Sequence, residues 1–226
     1  MANLLTAKTP SHWELVTLGD LVCPVEKVQP GEIFKDEFQY IDISSIDNNF
    51  FRVERPEKKK ADSAPSRARQ LVHEGDLLFS TVRPYLRNIA TVPRWLDGEI
   101  ASTGFCVLRP KEGVKTEYLL FLVLTQNFFA ALEPLQRGTS YPAVRDQDIK
   151  GLEVPVPSTE EQCRIVAKIE ELFSELDDSV ANLETARARL QAYRQSLLKH
   201  AFEGRLTERW RRDYAGELES ADHLLE

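Results

Sequence analysis

Glycine-rich phosphate cradles are missing from this chain: its ten glycines never fall as GxG, GxxxxGK or GxSxG, so neither a nucleotide loop nor a nucleophile elbow can be placed. No Asn-Pro-Pro-aromatic or Asp-Pro-Pro-aromatic tetrapeptide occurs, which argues against autonomous methylation of a flipped base. The three cysteines, Cys23, Cys106 and Cys163, lie far apart and outside any CxxC or Cys/His spacing, so neither a disulfide framework nor a zinc site is indicated, and a reducing compartment is expected. The four histidines are scattered, and His73-Glu74-Gly75-Asp76 reads as a turn entering a strand. No uninterrupted apolar run is long enough to span a bilayer, because Tyr118 to Leu132 is broken by Thr125, Gln126 and Asn127. A soluble, cytoplasmic and non-catalytic protein is expected.

What is present divides into two grammars. From Trp13 to Val156, short apolar segments alternate with Pro and Gly, the pattern of one α+β domain with a mixed or antiparallel sheet. Five segments rich in Val, Ile, Thr and aromatics are expected as strands: Phe38 to Ile43, Asp76 to Val82, Asn88 to Val92, Phe105 to Leu108 and Leu152 to Val156. Thr116 to Glu133, closed by Pro134, predicts one core helix. After Pro155-Val-Pro157 come two overlapping capping boxes, Ser158 with Glu161 and Thr159 with Gln162, which start a long helix. Steps of four and three pick out Ile165, Ile169, Leu172, Leu176, Ser179, Leu183, Ala186, Leu190, Tyr193 and Leu197. That is a coiled-coil seam on a coiled-coil-type rod roughly 50 Å long, uninterrupted until Gly204. A single apolar stripe of this length calls for a partner helix. The expected organisation is therefore a globular domain over 1–157, a spacer or dimerisation helix over 158–204 and a tail over 205–226.

The net charge of −7 runs against phosphate binding, but its distribution does not. Residues 1–157 carry a net −2 and residues 158–226 a net −5, while Arg52 to Arg94 holds ten basic and five acidic groups. Three clusters in the domain have DNA-binding chemistry. The first is Ser80-Thr-Val-Arg83-Pro-Tyr85-Leu-Arg87-Asn88, with hydroxyls, arginines, an aromatic and an amide. The second is Gln136-Arg137-Gly138-Thr139-Ser140-Tyr141, where Gly138 allows close backbone approach. The third, Lys58, Lys59 and Lys60 with Arg67 and Arg69, reads as a mobile basic loop. Each also suits an ordinary exposed connection, and a metal site is not indicated.

The order and spacing of these elements resemble the specificity subunit of type I restriction-modification enzymes. The resemblance runs from Pro10-x-x-Trp13-x-x-x-x-Leu18 through Tyr40-Ile-Asp-Ile-Ser-Ser-Ile46 and Gly75-Asp76-Leu-Leu-Phe-Ser-Thr-Val-Arg83-Pro84. It continues through Ser102-Thr-Gly-Phe-Cys-Val-Leu-Arg-Pro110 and Leu152-Glu-Val-Pro-Val-Pro157 to Glu161-Gln162-x-x-Ile165, and ends at Ala201-Phe-Glu-Gly-Arg-Leu-Thr207 and Trp210-Arg211. The resemblance implies a target-recognition domain on double-stranded DNA and a spacer helix that pairs antiparallel with its counterpart and is held by modification subunits. Through these it implies association with the restriction subunit, the chemistry and its cofactors belonging to those partners. The family's usual subunit carries two such halves; this chain carries one, as a fragment or as a half-subunit that dimerises. A coiled-coil adaptor that binds only protein is the alternative reading.

Overall fold

The computed structural model describes residues 9–138, 140–216 and 222. In chain order the strands are β1 (Glu14–Thr17), β2 (Val22–Cys23), β3 (Glu37–Ile41), β4 (Ile46–Asp47), β5 (Arg52–Val53), β6 (Glu57–Lys60), β7 (Ala68–Leu71), β8 (Leu77–Ser80), β9 (Ile89–Thr91), β10 (Ile100–Ser102), β11 (Phe105–Pro110) and β12 (Glu153–Val156). The helices are α1 (Pro30–Ile33), α2 (Thr116–Val123), α3 (Gln126–Leu132), α4 (Asp146–Lys150), α5 (Thr159–Phe202) and α6 (Glu208–Asp213). Two compact units result, one ending at Lys168 and the other beginning at Ile169.

The first unit is α+β, with a six-stranded sheet ordered β2-β11-β8-β9-β5-β4, a four-stranded sheet ordered β6-β3-β10-β7 and a ribbon of β1 with β12. Pairing is antiparallel except between β3 and β10 and between β5 and β9. The two-residue period of a strand explains how the six-stranded sheet can be apolar on both faces. Leu77 and Phe79 of β8, Ile89 of β9 and Cys106 and Leu108 of β11 pack with α2, α3 and α4. Their neighbours Leu78, Ala90, Phe105 and Val107 pack instead against Ile41 of β3 and Ala101 of β10, from the other sheet. Phe38, Tyr40 and Ile100 then cover that sheet's far face. Phe79 is fully buried against Phe128 and Phe129, with ring centroids 5.7 and 6.1 Å away.

Asp76, 1% exposed, enters β8 through a bidentate pair with Arg109, at 2.9 and 2.8 Å, and its carboxylate also accepts the His73 amide. The contact raises the Arg109 pKa, first through this hydrogen bond. His73 itself sits 3.0 Å from Asp97, in the turn expected for this segment. Burial pushes the Cys106 thiol up to about 12, so this cysteine serves as a core side chain.

All five expected strands are present. Two expectations about the elements of the domain fail. The single helix over Thr116 to Glu133 is two helices, bent by 66° where Thr125 caps α3 by accepting the Phe128 amide. The hydroxyl of Thr125 satisfies a free helical N–H, so a second start costs less than continuing through it. Lys58, Lys59 and Lys60 are not a mobile loop. They form β6, an edge strand in register with Gln39, Phe38 and Glu37. Backbone pairing to β3 outweighs the poor β-propensity of lysine, and charged side chains suit an open sheet edge.

The long helix begins as expected at Ser158, whose hydroxyl accepts the Glu161 amide at 3.3 Å. The second box does not form. Thr159 donates its hydroxyl to the Gly113 carbonyl at 2.7 Å. Gln162, 2% exposed, accepts the Lys115 amide at 2.9 Å and donates to the Pro157 carbonyl at 3.0 Å. Ile165 and Val166 pack on the core of the first unit, so Ile165 is engaged before any seam begins. His12 bonds Glu161 at 3.0 Å and holds that carboxyl below its usual range.

In the second unit, every residue of α5 from Glu170 to Lys199 is exposed. The helix ends where Gly204 turns with φ 72°, and Arg211 closes the turn by donating to the Gly204 carbonyl at 2.6 Å. Among the described residues no single helix is long and apolar enough to cross a membrane.

Candidate nucleic-acid interface

The connection from β8 to β9 is short and tightly held. The Ser80 amide donates to the Asn88 carbonyl, and Thr81 donates both its amide and its hydroxyl to the Gly104 carbonyl at 2.9 Å. Between them, Pro84 to Leu86 form one 3₁₀ turn flanked by Arg83 and Arg87, both left-handed with φ 49° and 52°. A non-glycine residue there costs about 1–2 kcal/mol. Local bonds offset it: the Arg83 amide donates to Pro142 at 2.7 Å, and the Arg87 amide donates to Pro84 at 2.9 Å.

The Arg83 bond ties the first predicted cluster to Pro142, the residue that follows the second. Val82 bridges Ala143, which in turn bridges Arg137 with reciprocal amide–carbonyl bonds of 2.9 Å. Gly138, at φ 86°, lets the intervening loop double back; a Cβ there would meet the Tyr141 carbonyl oxygen at 3.0 Å. As a result the Arg83 guanidinium lies over the Tyr141 ring, 4.4 Å from its centroid. Arg87 lies over Phe129 at 5.0 Å. Tyr85, Arg137, Ser140 and Tyr141 are exposed, Asn88 is half-buried, and Thr139 lies outside the described residues. A shallow pocket of about 410 Å³ opens beside them, lined by Tyr85, Arg87, Gln126, Phe129, Glu133 and Gln136 among others.

The third cluster divides. Arg67 is tied to the same end of the domain, because its carbonyl accepts the amide of Thr103, next to the Gly104 that anchors Thr81. Arg69 is spent on the Ser66 carbonyl and Gln29. Lys58 pairs with Glu37 at 2.6 Å, which raises the lysine pKa and lowers that of the carboxyl, and Lys59 pairs with Glu57. These exposed pairs are screened by salt and can exchange for other anions.

One element escaped sequence reasoning. The turn between β4 and β5 brings Asn48 to the Leu86 carbonyl at 2.8 Å, so this turn abuts the arginine turn. Phe50 beside it is 69% exposed under the Arg52 guanidinium. Asp47-Asn-Asn reads as a turn, but nothing in sequence places it here. Together these loops offer stacking rings, amides and cations on one surface, the groups that contact phosphates, base edges and unstacked bases.

Along α5, Leu172, Leu176, Leu183, Leu190, Tyr193 and Leu197 are all exposed, Leu183 at 70%, and Ile169 is half-buried.

The family described as type I restriction modification DNA specificity domain matches residues 10–185. The chain is 29% identical over 144 residues to the type I restriction enzyme EcoDI specificity subunit of Escherichia coli, covering 64% of this chain and 31% of that protein. Its fold superposes on the crystal structure of the HsdS subunit from Thermoanaerobacter tengcongensis with a TM-score of 0.72 at 40% identity, over 85% of this chain and 48% of that one. A second solved chain, from work on complex assembly and conformational transition of the type I R-M system, gives 0.71 at 39%, over 89% and 50%. The chain thus spans half or less of the length of these relatives. With a family match over most of its residues and the same fold at close to 40% identity, it belongs to the type I restriction modification DNA specificity domain family.

Proposed function

We propose that the chain recognises a DNA sequence through the surface built by residues 80–88 and 136–144. The observation that carries this is the convergence of two sequence-distant loops that stacks Arg83 on Tyr141 at 4.4 Å, next to Arg87 stacked on Phe129 of α3 at 5.0 Å, with Tyr85 and Tyr141 exposed. Arg67, Arg137 and Ser140 supply further phosphate contacts, and Lys58, Lys59 and Lys60 add a basic edge that guides the approaching backbone. The chain performs no chemistry and holds no cofactor. It directs modification subunits, and through them a restriction subunit, to the target in the cytoplasm. The exposed stripe from Ile169 to Leu197 pairs antiparallel with a like helix, from a second copy or from the other half of a longer subunit.

The test is a gel-shift salt series on the chain assembled with its modification subunits. Binding through phosphates falls as a power of salt concentration. The triple substitution Arg83→Ala, Arg87→Ala, Arg137→Ala is expected to weaken binding and flatten that slope by about one per phosphate contact removed. Unchanged affinity and slope would displace the interface from these loops, and salt-independent association with protein alone would favour an adaptor.

A further inference from the structure

We infer that Arg83 reads a guanine, and that Tyr141 is the residue that holds it in reading position; this deepens the DNA-recognition reading and rests on it. Of the other arginines at this end of the domain, Arg69 is committed to Gln29 and a carbonyl and Arg52 to Glu54 at 3.8 Å, while the exposed Arg67 and Arg137 have no ring or ion pair to set their planes among the described residues. Arg87 is exposed and lines a pocket that also contains Glu133, a carboxylate able to compete for it.

Arg83 combines three features, of which Arg87 shares the first two and lacks the third. Its backbone is held in a left-handed conformation by the bond to Pro142, against the extended preference that the following Pro84 imposes. Its guanidinium plane is set by the Tyr141 ring at 4.4 Å. Its Nε is buried with no hydrogen-bond partner among the described residues, so the group is enclosed at its root. No ion pair or hydrogen bond engages its terminal nitrogens among the described residues either. What is left is a planar pair of N–H donors held against the ring of Tyr141, which is 68% exposed.

A phosphate is bound well by any mobile cation, lysine included, whereas a planar fork of two donors held in one orientation matches guanine O6 and N7 together. A pre-oriented fork stacked on an aromatic ring therefore fits a base edge better than a solvated backbone. Tyr141 acts on the DNA through Arg83, as a positioning residue.

The experiment is selection of bound duplexes from a randomised pool by the chain assembled with modification subunits, as wild type, Arg83→Ala, Arg83→Lys and Tyr141→Ala. The wild type is expected to select a motif with an obligatory guanine that Arg83→Ala and Arg83→Lys both relax, leaving the other positions intact, while Tyr141→Ala relaxes it in part. Replacing that guanine with 7-deazaguanine removes N7 and should weaken wild-type binding about tenfold or more, with no effect on Arg83→Ala. The lysine variant keeps the charge and guards against a folding defect. An unchanged motif in Arg83→Ala overturns the inference. So does an Arg83→Ala that binds every sequence more weakly, with a salt slope smaller by about one and the motif intact, since that is a phosphate contact. A wild type that selects no motif would instead defeat DNA recognition itself.

Discussion

Replacing Gln162 by leucine should destabilise the first unit well beyond what an ordinary helix-surface change does. The side chain is 2% exposed and bridges two chain segments, accepting from Lys115 at 2.9 Å and donating to Pro157 at 3.0 Å. Leucine fills similar volume but leaves both partners unpaired. The Pro157 carbonyl is buried, and losing its donor costs about 1–3 kcal/mol; the Lys115 amide is only partly buried and rehydrates, so its loss sits at the lower end of that range. Allowing for the gain from burying leucine, the net is about 1–2 kcal/mol, or a fall in Tm of roughly 2–8 °C for a chain of this size. Urea denaturation of the full chain at constant m reads the difference directly. Thr159→Val, which loses only the 2.7 Å bond to Gly113, is expected to cost less, about 1 kcal/mol. A Gln162→Leu protein within about 0.5 kcal/mol of wild type, the scatter of ordinary surface changes, would refute the view that this side chain ties the start of α5 to the domain.

Leu176→Asp with Leu183→Asp, at positions 58% and 70% exposed, should leave the first unit folded but abolish association and lower helix content; a solution mass and circular dichroism identical to wild type would mean the seam is elsewhere. Burial raises the Glu99 pKa, so the folded state favours the protonated form: the stability this gives is present at low pH and lost as pH rises through the folded value. Glu99→Gln should therefore melt higher than wild type at pH 8, with the advantage vanishing toward pH 4, and a pH-independent difference would contradict this. Gly138→Ala, forced to keep φ 86° with its Cβ 3.0 Å from the Tyr141 oxygen, should lower DNA affinity with little change in Tm, because the strain falls on an exposed loop; unchanged affinity would show that the loop need not double back.

The fold was legible in sequence where elements are long or strongly apolar. The strands around Phe79 and Phe105 and the helix from Ser158 announce themselves by composition and capping. Strands β2, β4 and β5 are two residues long and carry no period to detect. The lysine edge strand was invisible because its pairing with β3 is a tertiary fact, as is the choice of Thr125 to cap a second helix. The two arginine and tyrosine loops were each recognisable by chemistry, but their union depends on Val82 bridging Ala143, a contact across about sixty residues that no local pattern encodes. For the same reason Asn48 and Phe50 went unnoticed. Gln162 looked like a cap and is instead a bridge to Lys115, since the helix start already had its cap in Ser158.

The central claim, that this domain selects DNA by sequence for partner enzymes, is tested most directly by methylome sequencing of cells in which this is the only specificity chain, expressed with its modification subunits. Two identical domains on antiparallel helices are related by a twofold axis, so the expected result is one interrupted palindrome, its half-sites separated by unread base pairs. The motif should disappear in the Arg83, Arg87, Arg137 triple-alanine variant. Methylation at no defined motif, or at the same motif in that variant, would contradict the account, and two unlike half-sites would contradict pairing of identical copies.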